Sequence, residues 1–306
     1  IDLIIGTHSL LSDRIELKTP GLIVIDEEQK FGVKHKEKIK ALRLNAHTLS
    51  MTATPIPRTL HMSLSGIRDI SVIATPPPGR KPIINKSHIF NWDIVQQAIA
   101  KEMVRDGQVY YLHNRVATID KTALKIQELF PQKRVDVVHG RMAASHLASV
   151  MQRFARKEID ILVCTTIVEN GLDLANVNTL IIDDVEKLGL AQMYQIRGRI
   201  GRGERQAYAY FLYKKLRGDS RLRLEAIEEF EELGSGFLLA SRDLEIRGAG
   251  SILGKEQSGR IHAVGYSLYM KMLRESVEKL KDKGSNEGTS RSVKHGAGFT
   301  GGGWIR

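Results

Sequence analysis

Short apolar runs that alternate with helix-length amphipathic stretches constrain this chain more than any other feature. IDLII (1–5), GLIVI (21–25) and HTLSM (47–51) read as buried strands, and helical patterns follow near 34–44 and 56–65. TPPPGRKP, Thr75–Pro82, interrupts this series: its prolines and glycine cannot continue a helix or a central strand, so 76–82 reads as a linker. A second series then places strands near 83–90, 108–112, 134–138, 160–164, 178–183 and 207–213, with helices near 92–106, 116–129, 145–157 and 189–199. Such alternation predicts an α/β fold whose parallel sheets are covered by helices. Residues 83–215 carry enough strands for a nearly complete domain, whereas 1–75 carry too few and read as the back half of another.

From 216 to 282 the chain turns helical, with LRLEAIEEFEEL and YSLYMKMLRESVEKLK as amphipathic stretches. Residues 283–306 are rich in Gly and Ser, lack an apolar period and are expected to be disordered. No internal repeat is visible. The opening IDLIIGTH has neither a basic leader nor an initiator Met and reads as mid-domain sequence, so the expectation is a fragment. No apolar run approaches the roughly 18 residues of a membrane span. One cysteine, Cys164, excludes an intramolecular disulfide and argues against cysteine-based zinc sites, in keeping with a reducing, cytoplasmic setting. The formal charge of +11 favours a polyanionic partner, typically nucleic acid, although a generally basic soluble protein has the same balance.

Four segments carry chemistry. In VIDEEQ an apolar strand delivers Asp26 and Glu27 to a carboxyl edge, where open α/β sheets bind ligands. One carboxylate holding Mg2+ and a second orienting the attacking water is what nucleotide hydrolysis needs; a solvated acidic turn is the alternative. In LSMTATPIPRTL, Thr52 and Thr54 end another apolar run, either to sense the state of a nucleotide or with Thr54 as a helix cap. In QIRGRIGRG, Arg197, Arg199 and Arg202 recur with glycines between them, as arginines that reach a γ-phosphate or as a basic helix terminus. Between Val163 and Ile182 a polar loop holds Gly171 and Asp173. Amides at Gly171 could touch a phosphodiester while Asp173 faces the nucleotide, or the loop is a plain crossover.

In this order the four segments resemble the C-terminal part of a superfamily 2 helicase motor, built from two RecA-like domains. DEEQ matches its motif II, TAT its motif III, Val163–Asp173 its motif V and Gln195–Arg202 its motif VI. RLEAIEEFEELGSGFLLASRDLEIRGAGSILGKEQSG, Arg223–Gly259, resembles the translocation motif of the group that holds RecG and the transcription-repair coupling factors. FGVKHKEKIKALR, TATPIPRTLHMSLSGIRDISVIATPPPGR and GYSLYMKMLRESVEKLK lean towards the coupling factors, and the resemblance covers about residues 1–282.

The resemblance implies an ATP-driven translocase on double-stranded DNA. Asp26 would hold Mg2+ and Glu27 orient water, with Gln195, Arg199 and Arg202 completing the ATP site from the second domain. Thr52, Thr54, Gly171 and Asp173 would couple hydrolysis to closure, and Arg223, Arg247 and Gln257 would turn closure into a step along DNA. RNA polymerase and excision-repair proteins would be partners through regions outside this chain. No GxxxxGK[ST] occurs: the nearest text, Ala249–Glu256, has Ala for the first Gly and Glu for the hydroxyl residue. In the family that loop precedes Ile1, so the 306-residue chain alone is expected to be inactive as an ATPase. A RecG-like fork-remodelling motor and a non-catalytic DNA-binding module are the alternatives.

Overall fold

The computed structural model describes residues 2–12, 15, 20–42, 46–53, 71–73, 75, 79–166, 176–230 and 235–247. Contacts divide the chain into two compact units, Ile1–Ile56 with Val72–Ile246, and Pro57–Ser71 with Arg247–Arg306. Apart from Ser71 and Arg247, the described residues belong to the first unit, and they form two parallel sheets. The smaller pairs β1 (Leu22–Asp26) with β2 (His47–Met51), joined through α1 (Val33–Leu42). Among the described residues the larger has six strands: β3 (Ile84–Ile89), β4 (Gln108–Leu112), β5 (Val135–Val138), β6 (Ile161–Cys164), β7 (Val177–Ile182) and β8 (Tyr208–Tyr213). They run parallel in the order β3-β8-β7-β4-β6-β5.

QVYYL, ILVC and VNTLII are buried at every position because these central strands have helices on both faces. On one face α2 (Trp92–Val104) and α3 (Val116–Leu129) bury Val95, Ile99, Ile119 and Ile126 against Val109 and Tyr111. On the other, α4 (Ala144–Ala155), α5 (Leu190–Arg197) and α6 (Asp219–Glu229) bury Phe154, Met193, Ile196 and Ile227 against Tyr110 and Leu162. A further helix, α7 (Gly236–Arg247), comes after α6. Asn91 caps α2, its side chain accepting from the Asp93 amide at 2.9 Å. Chain order reverses at β4, which lies between β7 and β6. The crevice beyond its carboxyl end is the place where open α/β sheets take ligands.

IDLII departs from expectation. Residues 2–6 form no strand, and Leu3 and Ile5 are 76% and 86% exposed. An apolar run becomes a strand only by pairing, and among the described residues none pairs with it. The helix expected near 56–65 and the tail lie outside the described residues. Among those described, no helix is long and apolar enough to cross a membrane.

Candidate nucleotide site and its links

Asp26 ends β1 with an exposed side chain, and the chain then turns sharply. Glu27 takes up left-handed backbone angles, φ 52° and ψ 49°, which a non-glycine residue adopts at a cost of order 1 kcal/mol or more. The turn is held by the Glu27 amide donating to the Met51 carbonyl at 3.0 Å and by the Lys30 amide donating to Glu27 at 2.8 Å. Ser50 Oγ donates to the Glu28 carboxylate at 2.9 Å. Thr52 comes immediately after β2 and is exposed beside this turn.

The larger sheet's helices meet the acidic turn through α5. Gln195 Nε2 lies 3.5 Å from Glu27 Oε2, a long hydrogen bond that joins residues far apart in sequence. After α5 the chain is fixed by Gly201, whose φ of +64° suits glycine and where a Cβ would stand 2.8 Å from that of Ala207. Its amide donates to the Val177 carbonyl at 3.1 Å, while Arg80 Nε donates to its carbonyl at 3.3 Å. Arg199 and Arg202, on either side of Ile200, are half-buried. Burial pushes the Tyr110 hydroxyl well up, and these two guanidinium groups oppose that rise, so both lie within electrostatic reach of β4.

Arg197 is not equivalent to them. It is 4% exposed, donates to the Ile227 carbonyl at 3.2 Å and stacks over the Tyr194 ring at 5.0 Å. Three residues apart on one helix, Tyr194 and Arg197 share a face, and that face is turned inward. Arg197 therefore ties α5 to α6 instead of offering a phosphate ligand. Arg223 is half-buried on α6, and Arg247 ends α7. Thr54, Gly171, Asp173 and Gln257 lie outside the described residues.

A second acidic turn escaped sequence reasoning. At the carboxyl end of β7, Asp184 repeats the left-handed conformation of Glu27, φ 50° and ψ 40°, and likewise precedes a single 3-10 turn. DEEQK (26–30) and DDVEK (183–187) are thus the same strand-end device in two sheets. Here, however, both carboxylates already have side-chain partners within the protein. Asp183 accepts from His113 at 2.6 Å and from the Tyr111 hydroxyl at 3.3 Å, and His113 also meets Thr118 at 2.7 Å. Asp184 pairs with Lys187, with Lys214 at 2.8 Å and with Arg115 at 3.4 Å. This knot joins the carboxyl ends of β4, β7 and β8.

Burial alone would raise the Asp184 carboxyl, but hydrogen bonds from Lys187 and Lys214 outweigh it and hold the group below the usual carboxylate range. A depressed folded pKa gives stability that is present above the unfolded value, about 3.9, and lost as pH falls through the folded one. Asp184→Asn is therefore expected to lower the melting temperature at about pH 7. The difference from the unsubstituted chain should hold as the pH falls to the unfolded value, about 3.9, and shrink below it as the carboxyl takes up its proton, as thermal melts through the acid range will show.

Among the described residues no group of three His, Cys, Asp or Glu side chains could hold a metal by itself. Asp26 nevertheless suits Mg2+, which is commonly bound through one or two carboxylates with water and substrate phosphates filling the remaining positions.

Residues 91–204 match the helicase conserved C-terminal domain. The chain is 52% identical over 284 residues to the transcription-repair-coupling factor of Bacillus subtilis (strain 168), covering 92% of this chain and 24% of that protein. It is 51% identical over 282 residues to that of Staphylococcus aureus (strain USA300), covering 91% and 24%. The chain therefore spans about a quarter of the length of these relatives. Among solved structures, RecG bound to a three-way DNA junction superposes with a TM-score of 0.64 at 30% identity, over 88% of this chain and 36% of that one. Dbp5 L327V of S. cerevisiae, bound to RNA and ADP BeF3, gives 0.56 at 16% identity, over 72% and 60%, a likeness of fold alone. The parallel, helix-covered sheets are RecA-like, as in these helicases.

Proposed function

We propose, for a chain that belongs to the superfamily 2 helicases of the RecG and transcription-repair coupling factor group, that it is the ATP-dependent, double-stranded DNA translocase module of a coupling factor. The observation that carries this is the approach of Gln195 to Glu27 at 3.5 Å, because it brings the acidic turn and the QIRGRIGR segment to one place. Asp26 would hold Mg2+, which when bound neutralises charge on the transferring phosphate. Glu27 orients and deprotonates the attacking water from its place in the left-handed turn at the strand end. Arg199 and Arg202 stabilise charge on the phosphate oxygens with planar, forked donors. Thr52, Thr54, Gly171 and Asp173 link the nucleotide state to domain closure, and Arg223, Arg247 and Gln257 act on the duplex. In the whole protein this motor would displace a stalled RNA polymerase and open the lesion to excision repair.

The 306 residues contain the acids and arginines of such a site but no GxxxxGK[ST] cradle. The purified chain is therefore expected to show essentially no ATP turnover. A chimaera in which it replaces the matching segment of the Bacillus subtilis relative should hydrolyse ATP when duplex DNA is added. Robust turnover by the chain alone would sink the split-site reading. A silent chimaera beside an active parent would sink the motor reading. The likeness to RecG supports a second reading, fork remodelling. Unwinding of a three-way junction by the chimaera, without displacement of a stalled polymerase, would favour it.

A further inference from the structure

We infer that Gly236 is the point where the acidic turn and α5 together set the position of α7, making this glycine a positioning residue for the proposed motor, on which the inference rests. A Cβ at Gly236 would stand 2.3 Å from the Ala53 carbonyl oxygen, 3.3 Å from Tyr194 Cε1 and 3.4 Å from Tyr194 Oη. Three separate pieces of chain therefore meet where α7 begins: the loop after β2, the middle of α5 and the first residue of α7 itself.

Two routes lead from Glu27 to this glycine. The first is backbone: the Glu27 amide donates to Met51, and Ala53 lies two residues on. The second runs through α5: Gln195 reaches Glu27, and its neighbour Tyr194 lies against Gly236. A rearrangement of the acidic turn on hydrolysis thus reaches α7 from two sides at once. With no side chain at residue 236, nothing soft lies between helix and loop to absorb the shift. The 12-residue α7 is a lever roughly 18 Å long, so a tilt of about 10° at Gly236 moves its far end by about 3 Å. Gly236→Ala puts a methyl group where the carbonyl oxygen already is, and α7 must retreat by roughly 1 Å. No residue of the ATP site itself is altered.

The test is the ratio of DNA translocated to ATP hydrolysed, measured in the Bacillus subtilis chimaera by triplex displacement beside steady-state hydrolysis. Gly236→Ala is expected to keep DNA-stimulated hydrolysis within about twofold while displacement falls about tenfold. Tyr194→Leu, which withdraws the ring edge without adding an atom, should lower the same ratio. Leu238→Ala, at a 56% exposed position two residues along the helix, should leave it unchanged. An unaltered ratio in Gly236→Ala and Tyr194→Leu overturns the inference, as does an equal loss in Leu238→Ala. Failure of the unsubstituted chimaera to hydrolyse ATP is a different result, because it removes the motor reading and not the contact.

Discussion

Arg202→Lys, introduced into the Bacillus subtilis chimaera, is expected to lower the turnover number for ATP about 10³-fold while leaving KM within about threefold. The substitution keeps the charge, so any attraction between the loop and a polyphosphate survives. What it removes is the planar fork that can hold two phosphate oxygens at once, and that geometry matters most when charge moves onto those oxygens. The backbone around Arg202 is already fixed by Gly201, through its positive φ, its bond to Val177 and the bond from Arg80, so the lysine starts from the same place as the arginine. Arg199→Lys should behave alike. Glu27→Gln tests the other half of the site: it is isosteric, its side-chain carbonyl can still accept from Gln195, and it cannot take a proton from water. A loss of about 10² to 10⁴ in turnover is expected there. Steady-state kinetics with saturating duplex DNA decide the matter. A turnover within tenfold of the unsubstituted chimaera for either arginine variant would remove these arginines from the reaction.

Much of the fold could be read directly because parallel strands covered on both faces leave continuous apolar runs. QVYYL, ILVC and VNTLII announce β4, β6 and β7, and the helices between them carry a period their neighbours lack. IDLII is similarly apolar, yet its described residues 2–5 form no strand, since pairing is a property of two segments and only one is visible in a run of five letters. The arginines show a different limit. Arg197, Arg199 and Arg202 look alike in sequence, yet Arg197 shares the inward face of α5 with Tyr194, three residues before it, while Arg199 and Arg202 lie past the helix end. Helical periodicity could have made that distinction. The kinship of DEEQK with DDVEK could not have been found that way, because it lies in left-handed backbone angles at Glu27 and Asp184 more than in matching residues. The contact of Gly236 with Ala53 and Tyr194 is tertiary throughout, and a glycine opening a helix gives no sign of what approaches it.

Phe154→Ala is expected to destabilise the domain by about 3 to 5 kcal/mol, the upper range for truncating a single apolar side chain. Phe154 is fully buried at the end of α4, packed against Tyr110 at 5.2 Å between ring centroids. Removing the ring takes away its transfer from water and leaves a cavity that close-packed neighbours, Tyr110, Ile159 and Leu162 among them, cannot collapse to fill. The surrounding polar groups resist such a collapse. Gln108 Nε2 donates to the Phe154 carbonyl and to the Ile159 carbonyl, each at 2.7 Å, so the end of α4 is fastened to the start of β4. A backbone held in that way keeps the cavity open. Leu124→Ala is the control: on α3, 64% exposed, it should change stability by no more than about 0.5 kcal/mol. Urea unfolding of the two variants beside the unsubstituted chain measures both, with an unchanged slope confirming that stability and not compactness has moved. Because Ile200, which lies between Arg199 and Arg202 in the chain, belongs to the same buried cluster as Phe154 and Tyr110, this cavity has a functional reach as well. In the chimaera, Phe154→Ala should lower ATP turnover even at temperatures where the domain remains folded. Equal turnover for the two variants below their melting temperatures would mean that the packing around β4 does not help to hold those arginines in place.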